Sequence, residues 1–187
     1  MQRRVTPDRF LSDVELAAFM DAVRTRRHRN QPRDRALFAL LVNTGMRPSE
    51  ARALRRRDVR LDTRPEVRLR RPHLAHGPDP INRLPLHPAV ADVLRAYCAG
   101  MPADVLLFDM TKRQPPRLFN YYARKAGLRS CLCIYSLRHT AGRRLWAHTR
   151  DLRMVQGIMG HRCLKASARY IHIAPAAVFA AMHACEA

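Results

Sequence analysis

The segment from Tyr135 to Tyr170, YSLRHTAGRRLWAHTRDLRMVQGIMGHRCLKASARY, gathers side chains suited to chemistry on a phosphate. Arg138 stands in an LRHT tetrad, a Gly160-His161 pair closes an apolar helical run, and Tyr170 follows nine residues after His161. A guanidinium fork holds phosphoryl oxygens through paired hydrogen bonds. An imidazole can add a further hydrogen bond, and a phenol can attack phosphorus and carry the group covalently. A second arginine, Arg47 in TGMRPSEARAL, lies far upstream and joins the others only if the fold carries it there.

Each of these residues also has an ordinary explanation. Arg47 could be a surface or capping residue, His161 a structural histidine just past a helix, and Tyr170 a half-buried aromatic. The order and spacing of the set, more than any one member, favour the chemical reading. The Tyr121-Tyr122 pair reads as core packing, and His139 as a structural hydrogen-bonding residue beside Arg138.

The elements that must position these groups are read from periodicity. Ser12 and Glu15 have capping-box spacing ahead of Leu16, Phe19, Met20 and Val23, which predicts a helix over about 12–25. The basic run TRRHRNQPR separates it from a second apolar stretch, Ala36 to Val42, that stops at Thr44-Gly45. This buried helix delivers Arg47 to the mouth of a third, opened by Pro48. Free N–H groups and the helix dipole favour an anion there.

After RRRDVRLD, which either lines a DNA backbone or is a solvated face, VRLR (67–70) and RLPL (83–86) alternate like the strands of a hairpin. A helix from Pro88 buries Val90, Val93, Leu94 and Tyr97. Short apolar VLLF and the polar TKRQPP then lead to a helix from about Leu118 to Ala126, ended by Gly127. Arg138 begins the next helix, and Asp151 caps another that stops at Gly160. Pro175 opens an alanine-rich helix with Val178, Phe179 and Met182 on one face.

A chain of 187 residues suffices for a single domain with its own core. Its net charge of +20, from 35 lysines and arginines against 15 acidic residues, and its pI near 11.4 point to a polyanion. Nucleic acid is the favoured partner, because neutralised phosphates release counterions and supply affinity without any reading of sequence. A ribosome-associated protein or a basic membrane-surface binder would share the charge but not the motifs. The five cysteines form no C-x-x-C pair, the N-terminus MQRRVTPDRF lacks a signal-peptide stretch, and no run approaches transmembrane length. Reduced thiols and a cytoplasmic, nucleoid-associated location follow. Cys131, Cys133, Cys163 and His161 lack the spacing of a structural zinc site, so no metal is expected.

TGMRPSE around Arg47, YSLRH around Arg138 and MGH ahead of Tyr170 together resemble the motifs of the tyrosine recombinase (phage integrase-like) family. Those motifs are TGxRxSE, HxLRH, and LGH followed by a tyrosine about nine residues later. The likeness runs from Phe10 to about Ala180. It implies an α+β, mainly helical catalytic domain with a small antiparallel sheet. It also implies a single domain over residues 1–187, like the short members that invert fimbrial promoters, without a separate N-terminal DNA-clamping domain.

The activity implied is site-specific cleavage and rejoining of DNA strands. Tyr170 would attack the scissile phosphate, leaving a 3′-phosphotyrosyl link and a free 5′-hydroxyl. Arg47 and Arg138 would hold the non-bridging oxygens, and His161 would add a hydrogen bond. Neither metal nor nucleotide cofactor is needed, since the bond energy stays in the covalent link. Double-stranded DNA and further copies of the chain are the implied partners, as a tetramer in the synaptic complex, with the C-terminal segment inserted into a neighbouring subunit.

Two positions depart from the family pattern. Tyr135 stands where histidine is usual; a phenol still hydrogen-bonds a phosphate oxygen, but with a reference pKa of about 10 it is a poorer general base near neutrality. The family's hairpin carries a lysine that protonates the leaving 5′ oxygen, and RPHLAHGPDPIN has none. By strand counting His73 falls nearest that position, with His76 second. A DNA-binding relative that occupies sites or modulates another recombinase, without cleaving, is therefore the alternative reading.

Overall fold

The computed structural model describes residues 9–71 and 81–170 of the chain. Helix α1 (Asp13–Thr25) starts at the anticipated capping box: Ser12 Oγ accepts from Glu15 N at 3.2 Å, and Glu15 Oε2 accepts from Ser12 N at 2.8 Å. These bonds satisfy two N–H groups that have no partner within the helix. Helix α2 (Gln31–Thr44) is the centre of the molecule, with Ala36, Leu37, Phe38 and Leu40 wholly buried. Each large apolar side chain so buried contributes about 1.5–3 kcal/mol. Phe38 meets Phe19 of α1 edge to face at 5.0 Å between centroids.

Helix α3 (Pro48–Ala53) follows at once, and a single 3₁₀ turn leads into a sheet of three antiparallel strands. These are β1 (Val59–Arg60), β2 (Glu66–Arg70) and β3 (Ile81–Pro85), paired in sequence order. Val67 faces Leu84 and Leu69 faces Asn82 across the hairpin. Val67 and Leu69 are buried, and the period of two carries on past the strand to a buried Arg71. The segment RRRDVRLD thus contains a strand as well as solvated arginines. Two residues are too short for alternation to announce them.

The remaining helices are α4 (Pro88–Tyr97), α5 (Gln114–Lys125), α6 (Ile134–Thr149), α7 (Leu152–Met159) and α8 (Leu164–Ala168). Ala91 and Leu94 form the buried side of α4, where Val90, Val93 and Tyr97 are only partly buried. Two boundaries differ from the sequence expectation. Helix α5 begins at Gln114, a turn before Leu118, because Pro115 and Pro116 occupy first-turn positions where a missing N–H costs nothing. Helix α6 begins at Ile134, so Arg138 lies in its second turn. Tyr122 is core, as the sequence suggested: its hydroxyl donates to the buried Asp34 carboxylate at 2.8 Å. No helix among the described residues is long and apolar enough to cross a membrane. The hairpin tip with His73 and His76, and the helix expected from Pro175, lie outside the described residues.

Candidate active site

The ends of α2 and α7 meet at the middle of the site. Gly45 stops α2 with φ +62°, and any side chain there would strike Met159 Sδ at 2.6 Å. Asp151 starts α7 by accepting from Arg153 N at 2.7 Å, and Gly160 ends it with φ +66°. Arg138 reaches into this junction from α6, donating through Nη1 to the Gly45 carbonyl and through Nη2 to the Met159 carbonyl. These are helix C-terminal carbonyls, which carry partial negative charge. Its side chain is only 7% exposed. Burial, and next the charge of Arg47, pull its pKa down to about 10, which still leaves it a cation at neutral pH.

Arg47 is placed by α3. It is the residue just before the helix, its backbone N donates to Glu50 Oε2 at 2.6 Å, and its Nη1 donates to Glu50 Oε1 at 3.1 Å. The guanidinium is 37% exposed, so an anion can reach it. Burial pushes the Glu50 carboxyl up, but the Arg71 fork and then Arg47 outweigh it and hold the group below the usual carboxylate range.

His161 emerges directly after Gly160, with its backbone N bonded to Gln156 O at 3.0 Å and its Nδ1 2.8 Å from Ser167 Oγ on α8. Burial first, then Arg138, Arg169, Arg47 and Arg71, lower its pKa to about 3. The ring is therefore neutral near pH 7, and Arg47, Arg71 and Arg138, three of these four arginines, are the ones tied together through Glu50 and the last turn of α7. Its plane lies 24° from that of Tyr170, with centroids 6.0 Å apart.

Tyr170 is 3% exposed and packs with Val155 and Met159 in a small core beneath α6 and α7. Its hydroxyl lies 3.4 Å from His139 Nδ1. Burial raises the phenol's pKa, while Arg138 and Arg169 act in the opposite direction. Burial, followed by Arg169, Arg138 and Arg9, lowers the pKa of His139 to about 4. Tyr135 lies one turn before Arg138 on the same helix and is 50% exposed.

Arg47, Arg138, His161 and Tyr170 thus converge from four separate segments, and among the described contacts none joins Tyr135 to them. Sequence reasoning passed over Glu50, Arg71 and Gly142. Glu50 had a signal, the three-residue spacing from Arg47, and Arg71 had one in its register with Val67 and Leu69. Gly142, on which the Tyr170 ring rests, had none. No cluster of three or more metal-ligating side chains occurs among the described residues.

Residues 9–177 match the phage integrase family. Tyrosine recombinase XerC of Rhodospirillum centenum is 31% identical over 155 residues, 75% of this chain and 42% of that protein. XerC of Corynebacterium efficiens is 31% identical over 175 residues, 88% of this chain and 54% of that protein. Among solved structures, the XerH site-specific recombinase bound to difH substrate in a pre-cleavage complex superposes with a TM-score of 0.78 at 23% identity, over 97% of this chain and 56% of the other. The catalytic domain of bacteriophage HP1 integrase superposes with a TM-score of 0.66 at 17% identity, over 94% of each chain. The chain belongs to the phage integrase family, and its fold is that of the tyrosine recombinase catalytic domain. It spans about half the length of the curated relatives it matches.

Proposed function

We propose that the chain cleaves and rejoins DNA strands at specific sites through a 3′-phosphotyrosyl intermediate. The observation that carries this reading is the convergence of two arginines, one buried and one open to solvent, on a histidine stacked against a tyrosine. In the reaction the Tyr170 oxygen bonds to phosphorus, the bond to the 5′ oxygen breaks, and that oxygen takes up a proton. Arg47 and Arg138 hold the non-bridging oxygens and stabilise the charge that develops on them. His161 donates a further hydrogen bond.

His139 Nδ1 is placed to accept from the Tyr170 hydroxyl when the ring carries its proton on Nε2. Burial depresses both histidines most and the arginines add to it; a phosphate among the arginines offsets that second contribution, so the proton affinity of the histidines rises when substrate enters. Tyr135 is suited to hydrogen-bond a phosphate oxygen from the rim, and His73 is the candidate donor to the leaving oxygen. Double-stranded DNA is the proposed partner, consistent with the charge of +20. The proposed assembly is a tetramer on paired sites.

A nicked duplex whose cleaved end diffuses away tests the reading. The protein should form an SDS-resistant adduct, and Tyr170→Phe should bind the same DNA without forming one. An adduct that persists in this variant, or that maps to Tyr121 or Tyr122, overturns the assignment. Binding with no adduct in the unaltered protein would favour a site-occupying relative.

A further inference from the structure

Arg71 is an arginine with almost no contact with solvent, 1% exposed, at the point where β2 leaves the sheet. Its Nε and Nη2 form a fork on Glu50 at 2.9 and 3.2 Å, and its Nη1 donates to the Ile158 carbonyl at 2.9 Å, within the last turn of α7. The guanidinium passes directly over Gly160, where a Cβ would approach Nη1 to 2.6 Å. Glu50 Oε1 therefore receives Arg71 Nε and Arg47 Nη1, while Oε2 receives Arg71 Nη2 and the Arg47 backbone.

We infer that Arg71 is a positioning residue, which holds Arg47 and His161 at a fixed separation by tying the Glu50 carboxylate to the last turn of α7. The argument is one of competition and of geometry. Glu50 presents two oxygens to two arginines. With Arg71 occupying its fork, Arg47 spends one side-chain nitrogen on the carboxylate and keeps the rest of its guanidinium for an anion. Without Arg71, Arg47 is free to fold onto Glu50 in the bidentate geometry that arginine and carboxylate favour. The carbonyl bond to Ile158 sets the height of the Gly160-His161 turn over the same carboxylate. A lysine in this place would supply the charge but not the three directed bonds. Stability alone does not call for such a pair, since buried ion pairs are often replaceable by apolar groups at little loss.

The inference deepens the phosphate-holding role proposed for Arg47 and rests on it. Two readouts keep the two ideas separable. Cleavage is followed in the unaltered protein, in Arg71→Met, in Arg47→Ala and in the double variant, on ordinary DNA and on DNA with a neutral methylphosphonate at the scissile position. Arg71→Met should slow ordinary cleavage about 100-fold and methylphosphonate cleavage by less than threefold, and it should add nothing in the Arg47→Ala background. Arg71→Lys should remain slow. Because Arg71→Met leaves Glu50 with one partner, the pair Glu50→Gln/Arg71→Met, which removes the carboxylate that would capture Arg47, is measured alongside; it should cleave ordinary DNA faster than Arg71→Met yet slower than the unaltered protein, because the tie to α7 is still missing.

The second readout needs no cleavage. Titration of inorganic phosphate, followed by the His161 ring resonances, should be at least tenfold weaker in Arg71→Met than in the unaltered protein, with no further weakening on adding Arg47→Ala. Equal slowing on both DNA substrates, additive effects with Arg47→Ala, full rescue by Arg71→Lys, or phosphate binding that ignores Arg71 would each overturn the positioning role. No adduct in the unaltered protein, with a phosphate response that depends on Arg71, would overturn the cleavage reading and leave the positioning role standing.

Discussion

The Tyr170 ring lies against the backbone of Gly142, so closely that a methyl group at residue 142 would come within 2.5 Å of Tyr170 Cζ. Glycine inside a helix is ordinarily a weakness of about 1 kcal/mol relative to alanine. Here it makes room for the proposed nucleophile. Gly142→Ala should therefore displace the ring and cut adduct formation at least tenfold while the fold persists by circular dichroism. Gly157 is the control, a helical residue where an added methyl group would meet nothing within 4 Å. Gly157→Ala should raise stability by about 0.5–1 kcal/mol in urea unfolding. Unimpaired adduct formation in Gly142→Ala would separate the close packing from function.

Tyr170 is also a core residue, and its two roles respond to different substitutions. Tyr170→Phe keeps the ring and, among the described residues, loses only the long contact to His139, so its melting temperature should stay within about 2 °C of the unaltered protein. Tyr170→Ala removes a buried aromatic beside Val155 and Met159 and should cost about 3–5 kcal/mol. Chemical denaturation of both variants checks this, and an equal loss in each would contradict it.

Acid should destabilise the fold through its neutral histidines. The folded-state values, about 3 for His161 and about 4 for His139, lie below the unfolded reference near 6.5. Between these limits the unfolded chain binds more protons, so stability is complete above pH 6.5 and declines as pH falls toward 4. The lowered Glu50 carboxyl adds a loss of the same sign further into acid. Urea midpoints from pH 7 to pH 4 should fall steadily, and His139→Gln with His161→Gln should flatten the decline. An unaltered slope in the double variant would place the acid sensitivity elsewhere.

The leaving 5′ oxygen needs a proton, and His73 is the proposed donor. General acid help is typically worth about 10²- to 10⁴-fold. A bridging 5′-phosphorothiolate supplies a sulfur that leaves unprotonated. His73→Ala should cleave ordinary DNA slowly and the phosphorothiolate at close to the unaltered rate. Equal slowing of both substrates, or of neither, removes His73 from the mechanism.

What could be read in advance was local. The Ser12 and Glu15 box, the left-handed Gly45 and the Asp151 to Gly160 span all declare themselves within a few residues, because a cap and its helix are covalent neighbours. Pro115 and Pro116 misled, since the same ring that breaks a helix interior is welcome in a first turn. The motifs marked Arg47, Arg138, His161 and Tyr170 as candidates, but not how each is held. Arg71 finds Glu50 across 21 residues of chain and Ile158 across 87, and nothing in the intervening sequence encodes either distance.

The two arginines of the site are held by different means, and this bears on what an arriving phosphate must disturb. Arg47 already leans on a carboxylate, so an anion there shares the guanidinium with Glu50. Among the described residues, the Arg138 side chain donates to the carbonyl ends of α2 and α7, dipoles fixed in the backbone, and to no carboxylate. On the proposed role, a phosphate at Arg138 would displace no carboxylate among the described residues, and the reorganisation energy of its binding was spent when the two helices were packed end to end.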